Sequence, residues 1–332
     1  MSRRLACIAA VLLQLGASAA AADVIKLGTI APKDSPYHDV IRDLGAAWAA
    51  LSGGAIELRI YSNVGDEPDI VRKMLIGQLQ ASALSGGGLV ELIPELRGLM
   101  LPMFFRSEEE RRYVARQVHP LLAAFALSRG IRVLCWTSTG WLAWFTKEPV
   151  VTPEDLRRLA IFVWGGEIGQ VDAWRDAGYR AVPLPATEII TALQSGLIGA
   201  LSVPPLAALS FQWFGVANHM TDLAWVPLDG AVLISEKAWQ GIDKALRPKL
   251  ESTAVEACAR LDGEVETLNA KAIEIMKKHG LTVHPVPAEA AEAWERTVAV
   301  HYPKIMGDTV PKALLATIEQ LRHDYRARHG TP

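Results

Sequence analysis

Residues Cys135 to Trp164, CWTSTGWLAWFTKEPVVTPEDLRRLAIFVW, contain the pattern that decides the fold. Two runs rich in strand-forming residues, Val133 to Phe145 and Leu159 to Trp164, flank the start of a helix. Thr152 is suited to the N-cap of that helix, and Asp155 follows three residues later, at the spacing of a capping box. The stretch therefore predicts strand, helix and strand, which is the repeating unit of an α/β protein.

The alternation of strands and helices continues on both sides of this stretch. Before it, strands are predicted at residues 24–29, 55–61 and 81–84, and helices at residues 39–51, 66–77 and 107–129. After it, a buried strand is predicted at residues 231–235, and helices at residues 170–177, 188–194, 243–279, 288–302 and 309–328. This order predicts an α/β fold with sheets of largely parallel strands. The longest helical pattern is able to bridge two domains, at ~1.5 Å per residue.

The first 22 residues have the pattern of a secretory signal peptide. Arg3 and Arg4 form a short basic region, and the apolar run from Leu5 to Leu15 is too short to span a bilayer. Small residues follow as far as Ala22, near which we expect cleavage. The sequence therefore predicts a periplasmic mature chain that starts near Asp23.

Charge and length limit the classes of function. Without the two arginines of the leader, 32 basic side chains remain against 36 acidic ones, a net charge of −4. This mild balance gives no electrostatic footprint for nucleic acid or for an anionic membrane surface. The mature length, at roughly 150 residues per domain, favours two domains. We expect a monomer.

The residues that usually carry metal or catalytic chemistry are scattered. Of the three cysteines, Cys7 leaves with the leader, while Cys135 and Cys258 allow at most one bridge and are expected to be buried as small apolar groups. The eight histidines show no metal-ligand spacing. The GxSxG, HExxH, SxxK and CxxC motifs are absent from the sequence. We therefore expect no metal, no cofactor and no enzyme activity.

Two further features favour structural roles. The run Gly86-Gly87-Gly88 lacks the spacing of a nucleotide-binding loop, so we interpret it as a tight loop that approaches another strand or a ligand. Asp66 and Glu67 are interpreted as the solvated start of a helix, where the helix dipole favours negative charge.

Six segments occur in an order that is specific to one family. They are GTIAPKDSPYH, YSNVGDEPDIVRKMLIGQLQASAL, ELRGLMLPMFFRSEEE, VVTPEDLRRLAIFV, VPLPATEIITALQSGLIGA and LISEKAW. Together they resemble the DctP-type substrate-binding proteins of TRAP transporters over nearly the whole mature chain. The resemblance implies two α/β domains joined by crossing strands, a long helix that spans both, and a small-molecule ligand held in the cleft between them. It also implies delivery of that ligand to TRAP membrane subunits.

The same resemblance suggests where the domains divide. The first domain is expected to comprise residues 23–140 and 228–268, and the second residues 141–227 and 269–332. We expect the crossing strands near Trp141 and Leu228 to form a hinge that closes on the ligand.

The positions at which members of this family hold an organic acid carry apolar residues in this chain. An Arg is usual in the strand after the TPEDL helix, where Phe162 stands, and a second Arg is usual at the position of Leu142. An Asn that touches the ligand is replaced by Val203, and a bulky aromatic by Ala186. A carboxylate buried without such partners carries a penalty of several kcal/mol. The resemblance therefore predicts an apolar or weakly polar ligand.

The predicted ligand-binding residues combine these replacements with neighbouring aromatic and glycine-rich positions. They are Tyr37, Ser85, Gly86, Trp141, Leu142, Trp144, Phe162, Trp164, Ala186, Val203 and Trp213. By contrast, we interpret Trp136, Trp174 and Trp239 as packing residues of the core.

Two alternatives to simple delivery of an apolar solute stay open at this point. In the first alternative, the protein is a carrier or sensor of lipid-like ligands and works with a tetratricopeptide-repeat protein. This alternative predicts an exposed apolar patch beside the cleft. Otherwise it binds an ordinary organic acid through a relocated cation, for which Arg59, Arg97 and Arg175 are candidates.

Overall fold

The computed structural model describes residues 22–62, 64–164 and 168–330, without the side chains of residues 168–170. The predicted signal peptide, apart from Ala22, lies outside these residues. The described chain forms two β-sheets covered by helices, which confirms the predicted two-domain α/β fold. No described helix is both long and apolar enough to span a membrane.

The strands divide between the two sheets. In chain order they are β1 (Asp23–Thr29), β2 (Ile56–Tyr61), β3 (Ala81–Ser85), β4 (Ile131–Trp141), β5 (Ala143–Thr146), β6 (Ala160–Trp164), β7 (Arg180–Leu184), β8 (Ala200–Val203), β9 (His219–Asp222), β10 (Pro227–Ser235) and β11 (Thr282–Pro285). The first sheet has the order β2-β1-β3-β10-β4, and the second has the order β11-β9-β5-β8-β6-β7.

Helices connect and cover these strands. They are α1 (Pro36–Leu51), α2 (Glu67–Leu75), α3 (Gly86–Leu92), α4 (Glu108–Ser128), α5 (Pro153–Arg157), α6 (Ile168–Asp176), α7 (Ile189–Ser195), α8 (Pro205–Ser210), α9 (Glu236–Gly241), α10 (Arg247–Lys278), α11 (Ala288–Ala299), α12 (Tyr302–Met306) and α13 (Lys312–His329). Short 3₁₀ turns are formed by Pro94–Leu99, Ala186–Glu188, Trp213–Gly215 and Gly307–Thr309.

The stretch that decides the fold has the predicted helix start. The Thr152 side chain accepts a hydrogen bond from the Asp155 backbone N–H, and the Asp155 carboxylate accepts one from the Thr152 N–H. The predicted strand from Val133 to Phe145, however, is divided between the two sheets. It ends as β4 at Trp141 and resumes as β5 at Ala143, because the chain crosses from one domain to the other at this point.

The sheets are mixed, whereas the sequence predicts largely parallel strands. In the first sheet β1 is parallel to β2 and β3, but β10 is antiparallel to both β3 and β4. The reason is the crossing itself. The chain leaves the first sheet after β4 and returns to it along β10, so the outgoing and returning strands run in opposite directions.

Helix α10 spans both domains, as predicted. Leu250 and Ala254, in its first half, pack in a core with residues of β1 and α1. Ala272 and Met276, near its C-terminal end, pack in the core of the second sheet. The single long helix therefore contributes to two hydrophobic cores that are otherwise built from separate sheets.

Helix α13 packs against the first domain, although the predicted boundaries assign it to the second. Its buried residues Leu314 and Ile318 belong to the same core cluster as Val114 and Val118 of α4. The amphipathic pattern of α13 indicates a buried face, but it does not indicate which domain covers that face.

Cys135 and Cys258 form a disulfide, which corrects the expectation of two buried thiols. Cys135 lies on β4 and Cys258 on α10, and their Cα atoms are 6.1 Å apart. Both side chains point into one core, because α10 packs across β4. A strand residue and a helix residue that are 123 positions apart in sequence are brought together only by this packing.

We expect the Cys135→Ala/Cys258→Ala double variant to be less stable by about 2–4 kcal/mol, because the bridge restricts a long loop in the unfolded chain. Urea unfolding measures the difference. Reductant should lower the midpoint of the wild type and leave that of the double variant unchanged. Equal midpoints for both proteins under oxidising conditions would contradict a stabilising bridge.

Candidate ligand-binding site

A space of about 870 Å³, which includes its part open to solvent, lies between the two sheets. The end of β1, Tyr37 and Ser85 line it from the first domain. Val203 and Ala207 line it from the second domain. We call this space the β1 chamber. Because both domains contribute to its lining, it is part of the interdomain cleft.

A second space, of about 850 Å³, lies beside the first and is called the α6 chamber. Ala173 and Trp174 of α6 line it, together with Ala177, which follows α6, and Leu142 at the crossing between the sheets. Trp164 lines both chambers, as Leu228 also does. The cleft is therefore divided into two parts that meet at the Trp164 side chain.

Trp164 ends β6 and reaches across the cleft to the first domain. Its ring packs edge-on against the ring of Phe162, with centroids 5.0 Å apart. On its other side it faces helix α3, since a Cβ atom added to Gly87 would lie 3.8 Å from the indole ring. The indole therefore lies between the second sheet and the start of α3.

Polar groups in the lining of the β1 chamber bond to the protein itself. The Tyr37 hydroxyl donates to the Thr139 carbonyl at 3.2 Å, and the Thr139 hydroxyl donates to the Leu228 carbonyl at 2.9 Å. The Thr29 hydroxyl accepts from the Ala31 N–H at 3.1 Å. The surface offered to a ligand is therefore mainly apolar.

Glu67 is buried at the edge of this chamber, which corrects its interpretation as part of a solvated helix start. Its side chain is 1% exposed. Its carboxylate accepts hydrogen bonds from the Ser85 N–H at 2.6 Å, the Ser85 hydroxyl at 2.8 Å and the Gly88 N–H at 2.7 Å. Burial raises the pKa of Glu67 to about 7, although these hydrogen bonds act in the opposite direction.

Gly86 and Gly88 form the first turn of α3 instead of the predicted loop. The predicted close approach of these glycines to other parts of the protein is confirmed. A Cβ atom on Gly86 would lie 2.6 Å from Leu228, and one on Gly88 would lie 2.8 Å from Glu67. The missing side chains let the start of α3 pack directly on the lining of the cleft.

No Arg, Lys or His is among the described residues that line the β1 chamber. The positions between residues 22 and 330 whose side chains the structure does not describe, Asn63 and the run GGEIGQ at 165–170, contain no such residue in the sequence either. In the α6 chamber, His301 is the one described residue of this kind. An acidic ligand would therefore find no Arg or Lys partner in either lining.

The three arginines considered as relocated anchors lie elsewhere. Arg59 pairs with Glu57 on β2 and is about half exposed. Arg175 is exposed on α6, and Arg97 lies in the 3₁₀ turn Pro94–Leu99. None of them lines either chamber.

The architecture and the site agree with the outcome of comparisons with known proteins. The family profile of the bacterial extracellular solute-binding proteins, family 7 (DctP), matches residues 27–308. The chain belongs to this family. The resemblance of the sequence to DctP-type binding proteins of TRAP transporters is thereby confirmed. The family consists of binding proteins for transport and not of enzymes, as the absence of catalytic motifs predicts.

Individual relatives of this DctP-family chain are distant in sequence but similar in length. The C4-dicarboxylate-binding periplasmic protein DctP of Rhodobacter capsulatus is 24% identical over 307 residues, which cover 89% of this chain and 91% of the relative. The sialic acid-binding periplasmic protein SiaP of Vibrio cholerae is 22% identical over 290 residues, 83% of this chain and 87% of the relative.

A similar fold is found among solved structures. A TRAP periplasmic solute-binding protein from Xanthobacter autotrophicus, solved with bound β-D-galacturonate, superposes with a TM-score of 0.82 at 20% identity. The match covers 90% of this chain and 99% of the other. At this level of identity the likeness establishes the two-domain fold of the DctP-family chain and leaves its ligand to be argued from its own residues.

The structure distributes the predicted ligand-binding residues over several places. Those that line the β1 chamber are Tyr37, Ser85, Trp164, Val203 and Trp213. Leu142 lines the α6 chamber. Ala186 is half-buried against the core of the second sheet. Whether these residues contact a ligand stays a prediction.

Phe162 does not line either chamber, although the family resemblance implies an anchor position there. Its side chain is 5% exposed and packs behind Trp164, in the core that also contains Leu184 and Ile189. The three apolar replacements at Phe162, Leu142 and Val203 therefore do not converge on one space.

Trp141 and Trp144 also lie outside the two linings. The Trp141 indole N–H donates to Glu108 at 2.9 Å, so it is held by the first domain. Trp144 is buried among Trp174 and Trp225, with ring centroids 5.8 and 5.5 Å away. Adjacent strand residues point to opposite faces, so a run of aromatics in sequence does not predict a single aromatic surface.

Asn269 of α10 fixes the junction between the domains. Its side-chain oxygen accepts from the Leu206 N–H of the second domain at 2.8 Å, and its nitrogen lies 3.4 Å from the Thr139 carbonyl of the first. The neighbouring Gly140 has a φ of +99°, and a Cβ atom there would lie 2.4 Å from the Asn269 nitrogen. The crossing strand therefore needs glycine at this position.

Sequence reasoning missed several residues that shape the cleft, of which Glu67, Leu228 and Ala207 are the clearest examples. The sequence contained one signal for Glu67. The helix start at Glu67-Pro68 is followed, within about twenty residues, by the end of strand β3 at Ser85 and the glycines at 86–88. The pairing of these two segments, however, depends on how α2 packs against α3.

We expect the contribution of Glu67 to wild-type stability to fall as pH rises from about 4.3 to about 7, because in this range the unfolded chain has released the Glu67 proton that the folded chain still binds. Glu67→Gln has no such titration. Its stability relative to the wild type should therefore rise over this range by roughly 3 kcal/mol.

Urea unfolding at the two ends of this pH range measures the effect. Glu91→Gln is the matched control, because Glu91 is exposed on α3. This variant should keep the wild-type pH dependence. A parallel pH dependence for Glu67→Gln and the wild type would show that Glu67 ionises in the folded protein as it does in water.

Proposed function

We propose that this chain is the periplasmic binding subunit of a TRAP transporter, and that its ligand is an uncharged, apolar or weakly polar solute. The observation that carries the proposal is the apolar lining of the β1 chamber, in which no cation is found among the described residues. An apolar ligand would gain about 25 cal/mol per Å² of surface removed from water. A carboxylate in the same place would lose several kcal/mol of hydration without a partner.

The relatives support the mode of binding but differ in the expected ligand. Their names and bound molecules include a C4-dicarboxylate, sialic acid and galacturonate, all of which carry carboxylates. In this chain Val203 lines the β1 chamber and Leu142 lines the α6 chamber, at positions where the family resemblance implies polar anchors. Glu67, the buried acid in the wall of the β1 chamber, offers no positive charge to an anionic ligand.

A periplasmic location agrees with several features of the chain. The sequence predicts a cleavable leader ending near Ala22, and the named relatives are periplasmic proteins. The Cys135–Cys258 disulfide is a bond typical of oxidising compartments such as the periplasm. In this location the protein would deliver its ligand to TRAP membrane subunits.

Simple delivery by a monomer is favoured over the tetratricopeptide-repeat alternative. The exposed large apolar side chains lie on several separate helices and loops, for example Leu51 on α1, Leu127 on α4 and Val300 after α11. Scattered exposed residues of this kind are usual on soluble proteins and do not indicate a partner surface.

A positive charge added to the β1 chamber should change the affinity for an uncharged ligand and for an acidic ligand in opposite directions, so it distinguishes these two classes. Ala207 is half-buried in this lining, and we compare Ala207→Lys with Ala207→Met, which adds similar bulk without charge. For an uncharged ligand, the Lys variant should bind more weakly than the Met variant by roughly tenfold or more, because the ammonium resists desolvation. Calorimetry with octanol as the neutral probe, and with succinate and galacturonate as acids, makes the measurement.

Wild-type protein should bind octanol and neither acid. Micromolar binding of succinate or galacturonate by the wild type would overturn the apolar-ligand proposal and favour an acid ligand held through another cation. Mass spectrometry of an organic extract of protein purified from its native periplasm then identifies the natural ligand.

A further inference from the structure

We propose that Trp164 determines ligand length by separating the β1 chamber from the α6 chamber. This inference rests on the proposed function and assigns a specificity role to one residue of the cleft. Trp164 lines both chambers, as Leu228 does, and of these two side chains only the large indole is on the second sheet; the remaining linings come from different residues. A ligand that extends from one chamber towards the other therefore meets the indole ring.

The indole packs against Phe162 on one side and faces helix α3 on the other. Phe162 packs against it within the second domain, with ring centroids 5.0 Å apart and planes at 76°. Across the cleft, the ring lies against Gly87 at the start of α3. Because Phe162 is itself buried in the core, it fixes the ring from behind and acts as a positioning residue.

The α6 chamber is suited to the same class of ligand as the β1 chamber. Leu142, Met100, Ala177 and Trp225 supply apolar surface to it. Removing the partition should therefore give one continuous apolar space that accepts a longer uncharged chain. The wild type, with the indole in place, should accept only chains that fit the β1 chamber.

A series of primary alcohols from butanol to dodecanol tests this inference. Their affinities are measured by displacement of the neutral probe N-phenyl-naphthylamine from the mature protein. In the wild type, affinity should rise by about fourfold for each added methylene and then stop rising at a limiting length. In Trp164→Ala, and in the milder Trp164→Leu, the rise should continue to longer alcohols.

Two further variants locate the effect. Ala177→Leu reduces the α6 chamber; alone it should leave alcohol binding unchanged, and in the Trp164→Ala background it should restore a shorter limit. Phe211 lines the β1 chamber and not the α6 chamber, so Phe211→Ala alters the first lining and leaves the second intact. It should weaken all alcohols without moving the limiting length. Circular dichroism confirms that each variant is folded.

The outcomes separate the two proposals. An unchanged limiting length in both Trp164 variants overturns the partition while leaving the proposed function intact. Weaker binding of long alcohols by Ala177→Leu alone also overturns it, since wild-type ligands would then already reach the α6 chamber. If the wild type binds no alcohol of any length, the proposed function fails and this inference fails with it.

Discussion

The two-domain structure depends on a pair of crossings between the sheets that are hydrogen-bonded to each other. The Leu142 N–H donates to the Val226 carbonyl at 2.8 Å, and the Trp225 N–H donates to the Leu142 carbonyl at 3.0 Å. Because the outgoing and returning segments are hydrogen-bonded to each other here, the two sheets stay joined at this point. Asn269 adds hydrogen bonds from α10 to both sides of the same junction. The cleft lies where the ends of the two sheets are brought together by these crossings.

Charge is buried in this protein, but it is paired outside the linings of the cleft. Arg111 bonds to Glu108 and Asp229 at 2.6 and 2.8 Å, and all three side chains are almost fully buried. Burial by itself would raise the pKa of Asp229, but Arg111 and His119 hold this pKa below its usual value. Glu108 also accepts from the Trp141 indole, so this network supports the first-domain side of the crossing. The fold therefore accommodates buried ions where they are paired. The apolar character of the cleft comes from the residues that line it and is not a general property of the fold.

The accuracy of sequence reasoning differed between local and long-range features. The Thr152–Asp155 capping box, the bridging helix and the strand after the TPEDL helix follow from patterns within a few turns of chain, and the structure has all three. The placement of Phe162 behind Trp164, the burial of Glu67 and the disulfide of Cys135 with Cys258 could not be predicted in this way. Each depends on which face of an element packs against a segment far away in sequence.

The amino-acid sequence by itself determined the family and the two α/β domains, because motif order, hydrophobic period and residue identity are local properties of the chain. Only the tertiary structure decided that the replaced positions lie in different places and that Trp164 stands between two apolar chambers. The physical reason is that a cleft is formed by side chains from several strands and helices. Its shape is set by how those elements pack, and no single stretch of sequence contains that information.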